Sequence, residues 1–463
     1  MADTKQIQHL YWRAGFGMSP KEWATRRHWS RDKAIDELFR QSGKVAPLDS
    51  RDKGPDMTLA EFKKLSKTEQ KRLQKQTKEL MVTQNAKWVS RMADPKESPL
   101  LEKMCLFWHG HFACVSKNAK MAYHQLKTIR QYALGNFRDF VQSMAKDPSM
   151  IRFLNNQQNR KQQPNENFAR ELMELFTLGR GQYTEKDIKE AARAFTGWSS
   201  NIQGDFIFRK RQHDYGQKQF MGQRGNFDGD DIINIILDKK ETALFISRKI
   251  YRFFVNEQVN EKRVKELGDY FYAQNYNIGK TMRYLFSSDW FYDPANMGNR
   301  IKSPVELFAG MMRQLKVEVK EDRSILFVEK ALGQILFIPP NVAGWEGGKS
   351  WIDNSTLMIR LNLANLVFQE TEVDFKVKEE LTALKRSKSA RKLKATIDLK
   401  PMLQVFGRTS EATLFEEIQS YLLSTPPQWT ADFMRDFTVN RSKATQIKSL
   451  TVRLMTLPEY QLC

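Results

Sequence analysis

The stretch Asn165-Glu166-Asn167-Phe168-Ala169-Arg170-Glu171-Leu172-Met173-Glu174-Leu175-Phe176-Thr177-Leu178-Gly179 decides the fold class. Its apolar residues Phe168, Leu172, Leu175 and Phe176 recur at the spacing of one helix face, and Gly179 supplies a stop. Glu166, Arg170 and Glu174 stand four residues apart on a second face, so Glu166 and Arg170 can pair along the helix. Glu171 falls beside the apolar stripe. Lost hydration there raises a carboxylate pKa unless a cation or a metal compensates. Glu171 is therefore a candidate ligand or general base, set against the plainer reading of a charged, solvated helix face.

The same helical grammar repeats outward from this stretch. Ser19-Pro20-Lys21-Glu22, Thr58 with Glu61, Ser66 with Glu69, and Ser303-Pro304-Val305-Glu306 all read as capping boxes. Asp94-Pro95 interrupts the long polar helix opened at Ser66, and Ser98-Pro99 starts another. Further helices are expected over 118–145, 165–178, 184–196, 241–255, 261–272, 279–287 and 303–315. Alternation is confined to Asp205–Arg209, enough for a short hairpin arm. Two irregular stretches remain, 210–230 and Pro339–Trp351. The expectation is a mainly α, multi-helix globular domain with long irregular loops and at most a small β-hairpin. It would comprise a main helical domain over 1–370, a basic linker or loop over 371–400, and a small C-terminal helical unit over 401–463 packed on the main domain. The linker carries the acid-free run Lys385, Arg386, Lys388, Arg391, Lys392 and Lys394.

Lys and Arg number 75 against 54 Asp and Glu, a net charge of +21 over 463 residues. Such a field attracts polyanions, which makes an acidic polymer or an acidic protein a candidate partner and leaves nucleic acid as one. No known nucleic-acid module is recognisable. Three cysteines without metal-type spacing argue against a disulfide framework. The N-terminal residues contain no apolar leader, and no apolar run is long enough for a transmembrane segment. The expectation is a cytoplasmic location, with export through a removed leader left open.

Four constellations could carry chemistry. In Phe107-Trp108-His109-Gly110-His111-Phe112, two of the chain's six histidines stand two apart. They share a face in extended backbone and diverge by about 200° in a helix. With Gly110 read as a helix break, the pair forms half of a metal site. His213-Asp214 lies in the irregular loop and offers a third imidazole with a ligand or orienting carboxylate. Glu171 supplies the general base or a further ligand, and Arg170 an anion clamp. Trp345 and Trp351 flank Gly347-Gly348-Lys349, a composition suited to a stacking platform beside a cation.

Two functions follow. One is a hydrolase-like enzyme in which His109, His111, Glu171, His213 and Asp214 converge. There His109, His111 and His213 hold a divalent metal that activates water. The other is a non-enzymatic binding or scaffold protein that holds an acidic polymer or protein through its basic surface and Trp345, Lys349 and Trp351.

Beyond these residues the chain resembles a bacterial family catalogued as domain of unknown function 1800. The resemblance rests on His9-Leu10-Tyr11-Trp12-Arg13-Ala14-Gly15-Phe16-Gly17 and on Phe107–Phe112, where members often carry Asn at the position of Gly110. It continues through Asn165–Gly179, Tyr183-Thr184-Glu185, Ala191–Trp198, His213-Asp214 with Gly222, Lys302-Ser303-Pro304 and Pro339–Trp345. It implies a largely helical bacterial protein, often exported, and a partner of the sulfatase and phosphatase-like superfamily encoded nearby. No reaction is established for the family, so no catalytic role follows from it.

Overall fold

Serine and threonine hydroxyls open the helices as their spacing predicts. In the computed structural model, which describes residues 3–43, 46–55, 57–116, 118–201, 204–369, 393–427 and 441–463, all four capping boxes are formed. Each hydroxyl accepts the backbone N–H three residues on, and each Glu returns to the cap N–H, so donors left over at a helix start are satisfied locally. Lys67–Ala93 ends at Asp94, and Pro99–His111 starts immediately after Ser98.

The expected helix over 118–145 is instead two, Ala119–Tyr132 and Phe137–Ala145. Asn136 caps the second by accepting the Arg138 N–H. The turn between them gives its Leu134 and Gly135 carbonyls to the N–H groups of Gly279 and Ile278. A local side-chain bond and a distant partner together outcompete the continuous ladder.

The protein is mainly α. Among the described residues, β structure is limited to three two-stranded antiparallel pairs: Trp198–Ser200 with Phe206–Phe208, Lys218–Phe220 with Gln223–Gly225, and Val317–Val319 with Ala395–Ile397. The middle pair lies inside a stretch expected to be irregular. Its tight turn at Met221-Gly222 has positive φ at both positions, 48° and 83°, the backbone of a two-residue hairpin.

One apolar cluster runs through the described residues from Ile7 to Tyr460. Residues after 393 share that interior. The Tyr421 hydroxyl donates toward the carbonyls of Met18 and Gln314, 3.0 Å from each, and Cys463 exchanges two backbone hydrogen bonds with Arg300. Of the basic run, Lys385, Arg386, Lys388, Arg391 and Lys392 lie outside the described residues; Lys394 pairs with Glu321 at 2.6 Å.

A buried ionic knot fastens segments far apart in sequence. Glu306, fully buried, pairs with both Lys103 and Arg300 and accepts the Ser303 N–H. Lys103 Nζ also donates to the carbonyls of Trp12 and Gly15, at 3.1 and 2.8 Å. Burial works to raise the Glu306 pKa, but the two cations outweigh it and hold the carboxyl well below its ordinary range. Lys302 lies 3.6 Å from the Trp12 ring centroid and donates to the Tyr460 carbonyl. The segments His9–Gly17 and Lys302–Pro304 are thereby joined to the end of the described chain.

Candidate functional site

The Asn165–Gly179 helix does not keep α geometry to its end. Asn167–Glu171 is α-helical and Leu172–Thr177 is a π-helix. The wider turn is closed by the Leu178 N–H on the Met173 carbonyl at 2.9 Å and by the Thr177 hydroxyl on the Leu172 carbonyl at 2.6 Å. Two consecutive carbonyls, Leu175 and Phe176, accept side-chain donors from other helices. Gly179, at φ 82°, ends the turn with the Phe245 ring pressed against it.

His111 lies at the C-terminal end of Pro99–His111 and is buried. Its Nε2 stands 3.1 Å from the Phe176 carbonyl. A carbonyl only accepts, so Nε2 carries the hydrogen and Nδ1 is the acceptor. That acceptor faces Lys249 Nζ at 3.3 Å, and the same ammonium donates to the Leu175 carbonyl at 2.7 Å. Burial, with Lys249 adding to it, lowers the His111 pKa and keeps the imidazole neutral. Lys249 is partly buried on Lys240–Phe254, beside the Ile246 and Ile250 stripe and 4.8 Å from the Phe245 ring centroid. Burial first, then the positive charge of Arg252, pulls its pKa down to about 8. A lysine near that value exchanges protons readily at neutral to mildly alkaline pH.

His111 therefore meets the Asn165–Gly179 helix through a main-chain carbonyl rather than through Glu171. Glu171 is half-buried, and its pKa is raised by burial and by Glu174, as its place beside the apolar stripe implies. Arg170 is committed: it pairs with Glu166 at 3.1 Å and with both oxygens of Glu185 at 2.8 Å.

The other histidines go elsewhere. The Pro99–His111 helix runs straight through Gly110 instead of breaking there, so the rings of His109 and His111 point apart. The close approach constrains Gly344 rather than Gly110: a Cβ on Gly344, at φ 82°, would collide with the Gly110 carbonyl, whereas a Cβ on Gly110 would meet open space. His109 accepts the Phe337 N–H at Nε2, 2.9 Å away, which leaves a buried Nδ1 without a partner among the described residues. Its ring sits among Trp88, Phe337 and Trp345, and burial pushes its pKa down to about 3.

His213 donates through Nδ1 to the Thr196 carbonyl at 2.8 Å, and Asp214 pairs with Arg193 at 2.7 Å. Together they pin their loop to the end of Glu185–Ala194. Among the described residues, no group of three or more His, Cys, Asp or Glu is placed to hold a metal ion. The expected convergence of His109, His111 and His213 on one ion is not found, because each imidazole is bonded to a different stretch of backbone.

The Pro339–Trp351 loop is non-helical up to a single 3-10 turn at Gly348–Trp351. Trp345 is half-buried with its ring 5.7 Å from His109, Lys349 is exposed, and Trp351 is buried at 8% exposure. One tryptophan of the expected pair thus retains an open face.

Lys249 was missed by sequence reasoning. The available signal was a lone lysine beside the apolar residues Ala243, Ile246, Ile250 and Phe254 of a helix. That signal is weak, since lysine stems commonly cover such flanks.

No curated protein and no solved structure matches the chain. A family model described as "Protein of unknown function (DUF1800)" matches residues 9–462, and the chain, with its His9–Gly17, Phe107–Phe112 and Asn165–Gly179 segments drawn together in one interior, belongs to that family.

Proposed function

We propose that this protein is a hydrolase-like enzyme in which Lys249 is the proton-transfer group and His111 is the residue that positions it. One observation carries the reading: Lys249 Nζ is held by two fixed acceptors, the Leu175 carbonyl and His111 Nδ1, in a partly open position. An ammonium has three N–H bonds. When one proton leaves, the two remaining N–H groups stay on those acceptors, and the lone pair takes the third tetrahedral position. The free amine then takes a proton from water as its oxygen attacks an acyl carbon. The ammonium returns that proton to the leaving oxygen as the acyl–oxygen bond breaks.

Arg252, exposed one helical turn on, draws substrates that carry a negative charge. The alternative of a non-enzymatic protein holding an acidic polymer keeps Lys349 and the open part of Trp345, but loses Trp351 to the interior.

The test is hydrolysis of a panel of carboxylate- and phosphate-bearing esters across pH 6 to 10. The wild-type rate should rise with a midpoint near 8, and Lys249→Met should lower it roughly 100-fold or more, the usual contribution of a general base. His111→Gln should move the midpoint while leaving measurable activity. A rate indifferent to Lys249→Met contradicts the proposal.

A further inference from the structure

Two exposed loops meet beside the hairpin of Trp198–Ser200 and Phe206–Phe208. One, residues 158–164, carries Arg160 and Lys161; the other, residues 209–217, opens with Arg209, Lys210 and Arg211. The Lys161 N–H donates to the Gln212 carbonyl at 2.8 Å, and the Arg209 N–H to the Gly197 carbonyl at 2.8 Å. A Cβ on Gly197, at φ 81°, would stand 2.7 Å from the Arg209 carbonyl oxygen. The loops are pinned to each other and to the start of the hairpin, so the five cations share one region of the surface.

All five side chains are exposed. Among the described residues none of them forms an ion pair, and the neighbouring carboxylates are committed elsewhere: Glu166 to Arg170, Asp214 to Arg193, and Asp205 to Asn201. Neither 158–164 nor 206–213 contains an acidic residue. Like charges held close without counter-charge repel one another, and an anionic surface relieves that repulsion.

A second observation is independent of charge. Among the described residues four large apolar or aromatic side chains are exposed, and two of them, Ile207 and Tyr215, stand in this region. Strand alternation turns Phe206 and Phe208 partly inward and Ile207 outward. Phe206 packs on Trp198 at 5.2 Å between ring centroids, Phe208 on His213 at 5.1 Å, and His213 on Tyr215 at 4.7 Å. Ile207 and Tyr215 are thereby presented to solvent from a packed aromatic base.

This combination selects one kind of partner. A nucleic acid would use the cations and could stack on Tyr215, but it leaves an exposed isoleucine without a role. The surface of a phospholipid bilayer suits all three features. Headgroup phosphates meet the cations, the acyl boundary takes the aliphatic side chain, and the headgroup level takes the amphipathic tyrosine ring. We propose that this region docks the protein onto an anionic phospholipid surface, with Ile207 at the acyl boundary and Arg209, Lys210 and Arg211 among the headgroups.

The experiment is co-sedimentation of the full chain at 150 mM salt with phosphatidylcholine vesicles containing one-third phosphatidylglycerol, against vesicles of phosphatidylcholine alone. Binding is expected to the anionic vesicles only. Arg209→Gln/Lys210→Gln/Arg211→Gln should weaken it about 100-fold, at roughly fivefold for each cation beside an anionic leaflet. Ile207→Ser/Tyr215→Ser leaves the charge unchanged and should weaken it about tenfold or more. Thermal melting confirms that each variant is folded. Lys67→Gln/Lys71→Gln/Lys75→Gln removes the same charge from exposed positions of Lys67–Ala93 and should leave binding within about twofold, since distant charges are screened at this salt. Absence of binding, or a loss as large in that lysine variant as in the loop variant, overturns the proposal. Unaltered binding by the Ile207/Tyr215 variant overturns it too. A single-stranded DNA bound through the same residues more tightly than the vesicles would mark a nucleic-acid surface and would also overturn it.

Discussion

Lys249 shows what a single residue gains from its surroundings. Nothing in its sequence context sets it apart: its lowered pKa comes from burial and Arg252, and the histidine it meets stands 138 positions away. Glu171 is the opposite case, because its proximity to its own helix's apolar stripe is a local property and was legible.

Glu329 offers a separate test of burial at this scale. It is 2% exposed, accepts from Asn85 Nδ2 at 2.6 Å and keeps an Oε1 without a partner among the described residues. Burial pushes its pKa up from 4.5 to about 8, against the hydrogen bonds from Asn85 and the Leu336 N–H. A carboxyl neutral in the folded chain and ionised in the unfolded one stabilises the fold fully below pH 4.5, and that stabilisation is lost as pH rises through about 8. Glu329→Gln should flatten the fall in melting temperature between pH 5 and 8.5 and leave the variant the more stable at the upper end. Parallel wild-type and variant curves would show that Glu329 does not titrate this way.

At the scale of elements, caps and apolar spacing made most helices legible, because both are short-range effects. The π-turn at Leu172–Thr177 was not, since its form depends on His111, Lys249 and Phe245 arriving from other helices. Gly110 was misread for a related reason. Locally it resembles a breaker, whereas in the fold the helix continues through it to His111 and its carbonyl meets Gly344 of the Pro339–Trp351 loop.

Two substitutions follow. Gly179→Ala combines a φ of 82° with a Cβ 2.7 Å from the Phe245 ring. It should cost about 1–3 kcal/mol in chemical denaturation and bring the Lys249 pKa back toward its ordinary value. Gly344→Ala should lift the loop from the end of Pro99–His111, which a red shift of Trp345 fluorescence would report. Unchanged emission with unchanged stability would argue against that close approach.

In the whole molecule, the Glu306 knot binds three regions that no local pattern relates. Glu306→Gln leaves Lys103 and Arg300 buried beside a neutral group. It should cost about 3–5 kcal/mol, the usual penalty for breaking one side of a buried ion pair. Equilibrium unfolding measures this, and a change below about 1 kcal/mol, the scale of an exposed pair, would contradict a buried knot. The overall basic charge was readable from composition. The Glu306 knot was not, because Lys103 and Arg300 reach that carboxylate only through packing. The candidate site has the same character: the family segments carry His111 and the π-turn, but Lys249 joins them only in three dimensions.

The central claim, an activated and reachable amine at Lys249, is tested most directly by competitive acylation of the intact protein across pH 6 to 11, read peptide by peptide by mass spectrometry. The account predicts that Lys249 is modified ahead of the chain's exposed lysines at pH 8, with a midpoint near 8. A midpoint at the ordinary lysine value of 10.5, or labelling slower than that of the exposed lysines throughout, would contradict it.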